Sequence, residues 1–337
     1  METTFFYAGN GNSCRKDAAR HVSTMMFITS LFIGMVSCGG DGADEETDDN
    51  AIRMQAFVAD ISSYARGLQS GFIIIPQNAP ELAFNNTDPD EGKKTSYVDA
   101  IDGIGIEELF YNGALSVDRE RLGMLQTLKS SVTIMVADFV SNNANLPNAL
   151  KRCKDEGFIA FPRSADNYDY ELIPAIDSQT ENSDDVNRLS DAKNYLYLIS
   201  TNRYANKQAM LNAVKATNYD VVLIDLFFDE VALAPADIQS LKTKANGGKR
   251  LVISYISIGS AENYRYYWQR GWGKGNPSWL KKPYEGYADE LWVEFWHSDW
   301  QNIIFGNNES YIKKIINAGF DGAYLDNVEA YYFLIED

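Results

Sequence analysis

Residues 319–327, Gly-Phe-Asp-Gly-Ala-Tyr-Leu-Asp-Asn, bring a short apolar run straight onto Asp326, with Asn327 next in line. A carboxylate at the end of a buried strand can give or take a proton, act as a nucleophile, or bind hydroxyls and amines. The chain repeats this arrangement. Strand-like runs also end in Gln77-Asn78, Glu107, Asp138, Asp225, Glu262 and Glu294. One such carboxylate is ordinary; several in one chain point to an acid-lined pocket. In a parallel α/β barrel the C-terminal end of every strand opens into one mouth, so these groups would meet there. Glu108 follows Glu107 directly, and in a regular strand the two point to opposite sides, so only one can face the mouth.

Other chemistries are poorly supplied. Beyond the first 37 residues His297 is the single histidine, which argues against a Ser-His-Asp mechanism or a His-rich zinc site. An all-oxygen magnesium or calcium site stays open. The cysteines are Cys14, Cys38 and Cys153.

The elements that must position these carboxylates alternate along the chain. Ala51–Leu68 carries apolar residues at helical spacing, and Phe72–Ile75 is a continuous apolar run, as in a strand buried on both faces. Further strands are expected at Gly103–Leu109, Val132–Val140, Phe158–Phe161, Tyr195–Ser200, Val221–Phe227, Leu251–Ile258, Leu291–Phe295 and Asp321–Leu325. Helices are expected at Val117–Lys129, Ala144–Glu156, Lys207–Thr217, Pro235–Ala245 and Ser298–Ala318. This alternation predicts a parallel sheet, and eight or nine strands favour closure into a single (β/α)8 barrel over 51–337. With nine candidates for eight places, Phe158–Phe161 is taken as the peripheral one. The polar stretch 164–194 reads as an excursion.

The N-terminus reads differently. Arg15, Lys16 and Arg20 precede the apolar run Met25–Val36, too short to span a membrane, and then Ser37-Cys38. A small residue before a cysteine resembles a bacterial lipobox, so 1–37 reads as a lipoprotein signal peptide with lipidation at Cys38. Residues 38–50 read as an acidic tether, and the expected location is the outer membrane or cell surface. Removing the leader leaves 27 basic against 45 acidic side chains. That balance argues against nucleic acid, whose binding needs Lys and Arg at the phosphates.

Several motifs together resemble a known family. Tyr255-Ile-Ser-Ile-Gly-Ser-Ala-Glu-Asn-Tyr-Arg265 with Tyr267-Trp268, then Trp292-Val-Glu-Phe-Trp296, then Gly319–Asn327, are similar to segments of glycoside hydrolase family 114, the endo-α-1,4-polygalactosaminidase type. Ile75-Pro-Gln-Asn78 and Gly103-Ile-Gly-Ile-Glu107 also fit, but they precede the other block instead of following it. The resemblance therefore implies a circularly permuted TIM barrel, a rearrangement that adjacent termini allow.

It also implies a reaction. Glycoside hydrolysis uses two carboxyl groups, one protonating the leaving oxygen and one acting as nucleophile or base. The family's catalytic carboxylates fall on Asp326 and Glu107, with Glu107 favoured as general acid/base and the roles free to swap. Gln77, Asn78, Asp225, Tyr255, Glu262, Tyr264, Arg265, Glu294, Trp296 and Asn327 are then expected to bind the polysaccharide, Tyr255, Tyr264, Trp268, Trp296 and Tyr324 as possible stacking platforms. Each of these has a plainer role open to it, as helix cap, ion pair or packing. Where the family has a glutamate, this chain has Ser260. No cofactor is expected, and the chain is expected to act as a monomer. The competing expectation is a carbohydrate-binding surface lipoprotein without turnover.

Overall fold

In the computed structural model, residues 41–164 and 168–334 are described. Among them, eight strands pair in parallel: β1 (Ile73–Pro76), β2 (Gly103–Leu115), β3 (Thr133–Val140), β4 (Ile159–Ala160), β5 (Tyr195–Leu198), β6 (Val221–Asp225), β7 (Leu251–Ser257) and β8 (Gly322–Asp326). β1, β5 and β7 are buried at every position, which is why they are built of Ile, Val, Leu and Tyr with only Pro76, Ser254 and Ser257 as exceptions. Five strands form one sheet in the order β1-β8-β7-β6-β5, and β2-β3-β4 form another.

The two sheets meet at both ends. Gln77 bridges Gly105 in parallel, and the Asp102 N–H donates to the Ile74 carbonyl at 2.8 Å. On the far side the Ile199 N–H donates to the Tyr170 carbonyl at 3.1 Å, and the rings of Phe161 and Tyr195 lie 5.5 Å apart. Strand order thus follows chain order, with the last strand beside the first. The architecture is mixed α/β with parallel sheets, consistent with a TIM-barrel-like fold.

Two expectations need correction. Ile159–Ala160 pairs with β3 and is no peripheral strand. The supernumerary run is 291–295, which overlaps the end of Tyr287–Val293, a strand that pairs antiparallel with Ser260–Glu262 and Leu280–Tyr284 in an insertion after β7. It grades from exposed at Tyr287, Ala288 and Asp289 to buried at Trp292 and Val293, unlike a central barrel strand, which is buried along its length. The long helix expected at 298–318 is two helices, Ser298–Ile304 and Tyr311–Ala318, because Gly306 at φ 95° breaks the run.

Helix α1 (Asp41–Leu68) precedes β1. It runs back through most of the stretch read as a tether. Met54, Phe57, Val58, Ile61 and Ala65 are fully buried on one face, and a large apolar side chain among them contributes about 1.5–3 kcal/mol. α1 packs beside Ala330–Phe333 and Tyr311–Ala318, the helices flanking β8. Gln55 Nε2 donates to the Leu82 and Phe84 carbonyls at 2.9 and 3.2 Å, and Arg66 pairs with Asp102 at 2.9 Å. The Gln55 bonds tie α1 to the loop that follows β1, Gln77 and Asn78, and the Arg66 pair ties it to the residue before β2.

Candidate active site

Glu107 and Asp326 are the centre of the polar cluster at the strand ends. Gln77, buried, accepts from the Tyr197 hydroxyl at 2.9 Å and hydrogen-bonds Glu107. Asn78 accepts from the Glu107 N–H at 3.1 Å through its side-chain oxygen, so the backbone carrying Glu107 is clamped to β1. The Tyr170 hydroxyl donates a short hydrogen bond to Glu107 Oε1. On the other side, the Tyr255 hydroxyl donates to Asp326 Oδ2 at 2.6 Å, and the Asn327 N–H donates to Oδ1 at 2.8 Å.

Burial raises the pKa of Glu107, more than Tyr170, Arg163 and Gln77 lower it. Asp326 is pushed up to about 7, first by burial and then by the charge of Glu107. The two carboxyls therefore feel each other directly, and ionising one makes ionising the other harder.

Glu108 departs from the expectation that it turns away from the mouth. Its φ is 56°, a left-handed conformation, and β2 bulges there. Glu107 pairs with Ala137, but the next register partner, Asn112, already pairs with Phe139. The strand buckles, and a buckled strand no longer alternates its side chains. Glu108 joins the same cluster, ion-paired to Arg163 at 2.5 Å and accepting from the Tyr168 hydroxyl at 2.9 Å. Asp138 stabilises the bulge by accepting from the Phe110 N–H at 3.0 Å, and burial lifts its pKa to about 6. Gly105, just before, admits the buried Tyr324 ring: a Cβ there would collide with the phenol. Tyr324 is fully buried, so it is core and not a stacking platform.

The insertion after β7 hangs over Asp326. Asn327, at φ 62°, donates its amide to Ser257 Oγ at 2.9 Å, Ser260 Oγ at 2.8 Å and Glu290 at 3.2 Å, and accepts from Tyr284 at 3.2 Å. Ser260 also donates a short bond to Glu290. Glu290 is raised to about 8 by burial and by Glu262. Glu329 is likewise raised to about 8 by burial and the charge of Asp326. Gly259 makes the turn possible, since a Cβ there would meet the Asn327 carbonyl.

A second group lies at the ends of β6 and β7. Arg265 bridges Asp225 at 2.8 Å and Glu262 at 2.5 Å, and the Tyr264 hydroxyl donates a short bond to Glu262. Arg265 is buried, so its partners offset the cost of desolvating it. Two expected binding residues stand apart from these clusters. Glu294 pairs with Lys281 at 2.5 Å, and Trp296 lies under the Arg53 guanidinium of α1, 4.7 Å from its ring centroid. Cys38 lies outside the described residues. Among the described residues, no group of three or more His, Cys, Asp or Glu is arranged to hold a metal ion.

Compared with known families, residues 208–337 match the model of glycoside-hydrolase family GH114. The chain is 31% identical over 156 residues to an uncharacterized protein of Methanocaldococcus jannaschii, covering 46% of this chain and 43% of the relative. An uncharacterized protein of Deinococcus radiodurans is 36% identical over 124 residues, 37% of this chain and 38% of its own length. One of Thermotoga maritima is 26% identical over 124 residues, 37% of each. The chain spans about two fifths of the length of these curated relatives.

The GH114 segment holds Asp225, Glu262, Glu290 and Asp326, while Glu107, Arg163 and Tyr170 come from outside it. Arg163, Tyr168 and Tyr170 were not expected at the site. Setting Phe158–Phe161 aside as peripheral hid them, since Arg163 stands just past β4 where strand-end residues belong. Glu290 had no such signal, because it sits within an antiparallel insertion strand.

Proposed function

We propose that this protein is an exported, lipid-anchored glycoside hydrolase that cleaves an α-linked amino-sugar polysaccharide with Glu107 and Asp326. The observation that carries the reading is the buried pair of carboxyls, each fixed by its own hydroxyl donor and each opposing the other's ionisation. Such a pair holds one proton between them near neutrality. Glu107, whose burial favours the protonated form, gives its proton to the glycosidic oxygen. Asp326, ionised above about pH 7 and held by Tyr255 and Asn327, acts as nucleophile or activates water. Glu108, already matched to Arg163, stays a spectator that keeps the cation beside Glu107.

The family match of residues 208–337 supports the hydrolase class. The strand order supports a closed (β/α)8 barrel, permuted so that α1 fills the place after β8. Cys38 would carry the lipid, and the mouth's excess of carboxyls favours amine-bearing sugars. Ser260 in place of the family's glutamate favours the other reading, binding without turnover.

The test is release of reducing ends from a panel of glycans, including deacetylated galactosamine polymers, by the full chain, Glu107→Gln and Asp326→Asn. Release that collapses in both variants is expected. Release surviving in both would refute the site, and binding without release would favour the non-catalytic protein.

A further inference from the structure

The hairpin inserted after β7 ends beside the carboxyl pair. Its strands, Leu280–Tyr284 and Tyr287–Val293, turn at Glu285-Gly286, and Tyr284 pairs with Tyr287 across that turn. The Tyr284 hydroxyl donates to Asn327, the residue after Asp326, at 3.2 Å, which pins the tip of the hairpin next to the site. The Tyr287 ring packs edge-on against the Tyr284 ring, with centroids 5.4 Å apart. We propose that Tyr287 is a substrate-binding residue whose ring stacks on the sugar lying across Glu107 and Asp326. This rests on the reading of that mouth as a saccharide site.

Three observations lead there. First, the ring is open yet braced. Tyr287 is 36% exposed. Behind it Tyr284 stacks on buried Trp292 at 4.3 Å, and Trp292 stacks on Phe333 at 5.0 Å. Four rings in series thus run from the helix after β8 to the tip of the hairpin, and Tyr287 is the last of them. A ring fixed in advance loses little entropy when the C–H face of a sugar settles on it.

Second, the groups around its hydroxyl belong to the site. Burial of that end of the side chain, and then the charges of Glu107, Asp169, Glu290 and Asp326, raise the hydroxyl's pKa. These carboxylates come from β2, the loop after β4, the hairpin itself and β8, so the phenol lies within electrostatic reach of both members of the pair. Third, the rings expected to serve as platforms are engaged elsewhere. Tyr324 is fully buried, Tyr255 is buried with its hydroxyl on Asp326, and Trp296 lies under Arg53. Tyr264 is exposed but bonded to Glu262 at the neighbouring cluster.

The test is calorimetric titration of the full-length chain carrying Asp326→Asn, alone and with Tyr287→Ala or Tyr287→Phe. The probes are α-1,4-linked galactosamine hexamers and their N-acetylated counterparts, whose protons are followed by NMR in the same samples. Stacked C–H protons should move upfield on binding, shifted by the ring current. Tyr287→Ala should remove that shift and weaken both sets of oligomers alike, about tenfold for one lost aromatic contact, because the C–H faces are common to both. Tyr287→Phe should restore the shift and the affinity. Affinity and shifts unchanged in Tyr287→Ala, a loss in Tyr287→Phe as large as in Tyr287→Ala, or no oligomer bound at all overturns the proposal. Reducing-end release by the chain with Asp326 intact is measured alongside. Release without an effect of Tyr287→Ala removes the platform and keeps the hydrolase; an effect of Tyr287→Ala without release keeps the platform and removes the hydrolase.

Discussion

Asp326→Asn should change stability in opposite directions at low and high pH. The native pKa of Asp326 is about 7 against an ordinary 3.8. A carboxyl raised in the native state favours folding fully below 3.8, and that advantage fades as pH climbs through about 7. At 1.36 kcal/mol per pH unit, the ionised side chain costs the native state about 4 kcal/mol at pH 8. Asparagine cannot ionise, so it removes that cost. It also turns one of two acceptor oxygens into a donor, facing either the Tyr255 hydroxyl or the Asn327 N–H, a loss of about 1–3 kcal/mol. The variant should therefore be about 2 kcal/mol more stable than wild type at pH 8 and about 2 kcal/mol less stable at pH 4. Scanning calorimetry would show this as Tm shifts of about 5 °C with opposite signs. Activity should be lost at both. A variant destabilised equally at pH 4 and pH 8 would mean that Asp326 ionises normally, and the argument for a shared proton would fail with it.

Glu107→Gln removes the charge that, after burial, most raises Asp326, so the Asp326 carboxyl should titrate lower, as followed by carbon-13 NMR of the labelled side chain. Arg163→Met strips Glu108 of its cation in a site where both side chains are at most 10% exposed. It should cost about 3–5 kcal/mol in denaturant unfolding and raise the upper limb of the activity–pH profile, because Glu107 loses a stabilising charge. Gly105→Ala should displace Tyr324 and destabilise by about 1–3 kcal/mol or more, measured by thermal unfolding.

The pattern of the sequence reached the strands and their ends because a strand buried on both faces must be apolar throughout and must stop where polarity resumes. Val221–Asp225 stops two residues short of the run expected to Phe227, and Gly322–Asp326 lies one residue beyond the run expected at Asp321–Leu325. What the pattern could not reveal is where strands lose their regularity. The side of Glu108 followed from strict alternation, and alternation fails at a bulge whose cause is spatial: Asp138, on the neighbouring strand, holding the Phe110 N–H. β4 was set aside because nine candidates competed for eight places; its ladder is only two residues long, yet a barrel needs only enough ladder to close the ring. That one decision concealed Arg163, the cation beside Glu107.

Ser260 shows the limit most clearly. By residue type the position lacks the carboxylate that the family places there. A carboxylate nevertheless stands beside it, because Glu290, two residues along the paired insertion strand from Ser260's partner Trp292, accepts from the Ser260 hydroxyl. Asn327 binds both groups, so this carboxylate is tied to the residue after Asp326. A serine is small enough to leave room for a glutamate arriving from elsewhere, and it supplies the hydroxyl that orients it. A carboxylate thus stands against position 260, carried by a residue thirty positions later, and no motif written along the chain can record such a contact.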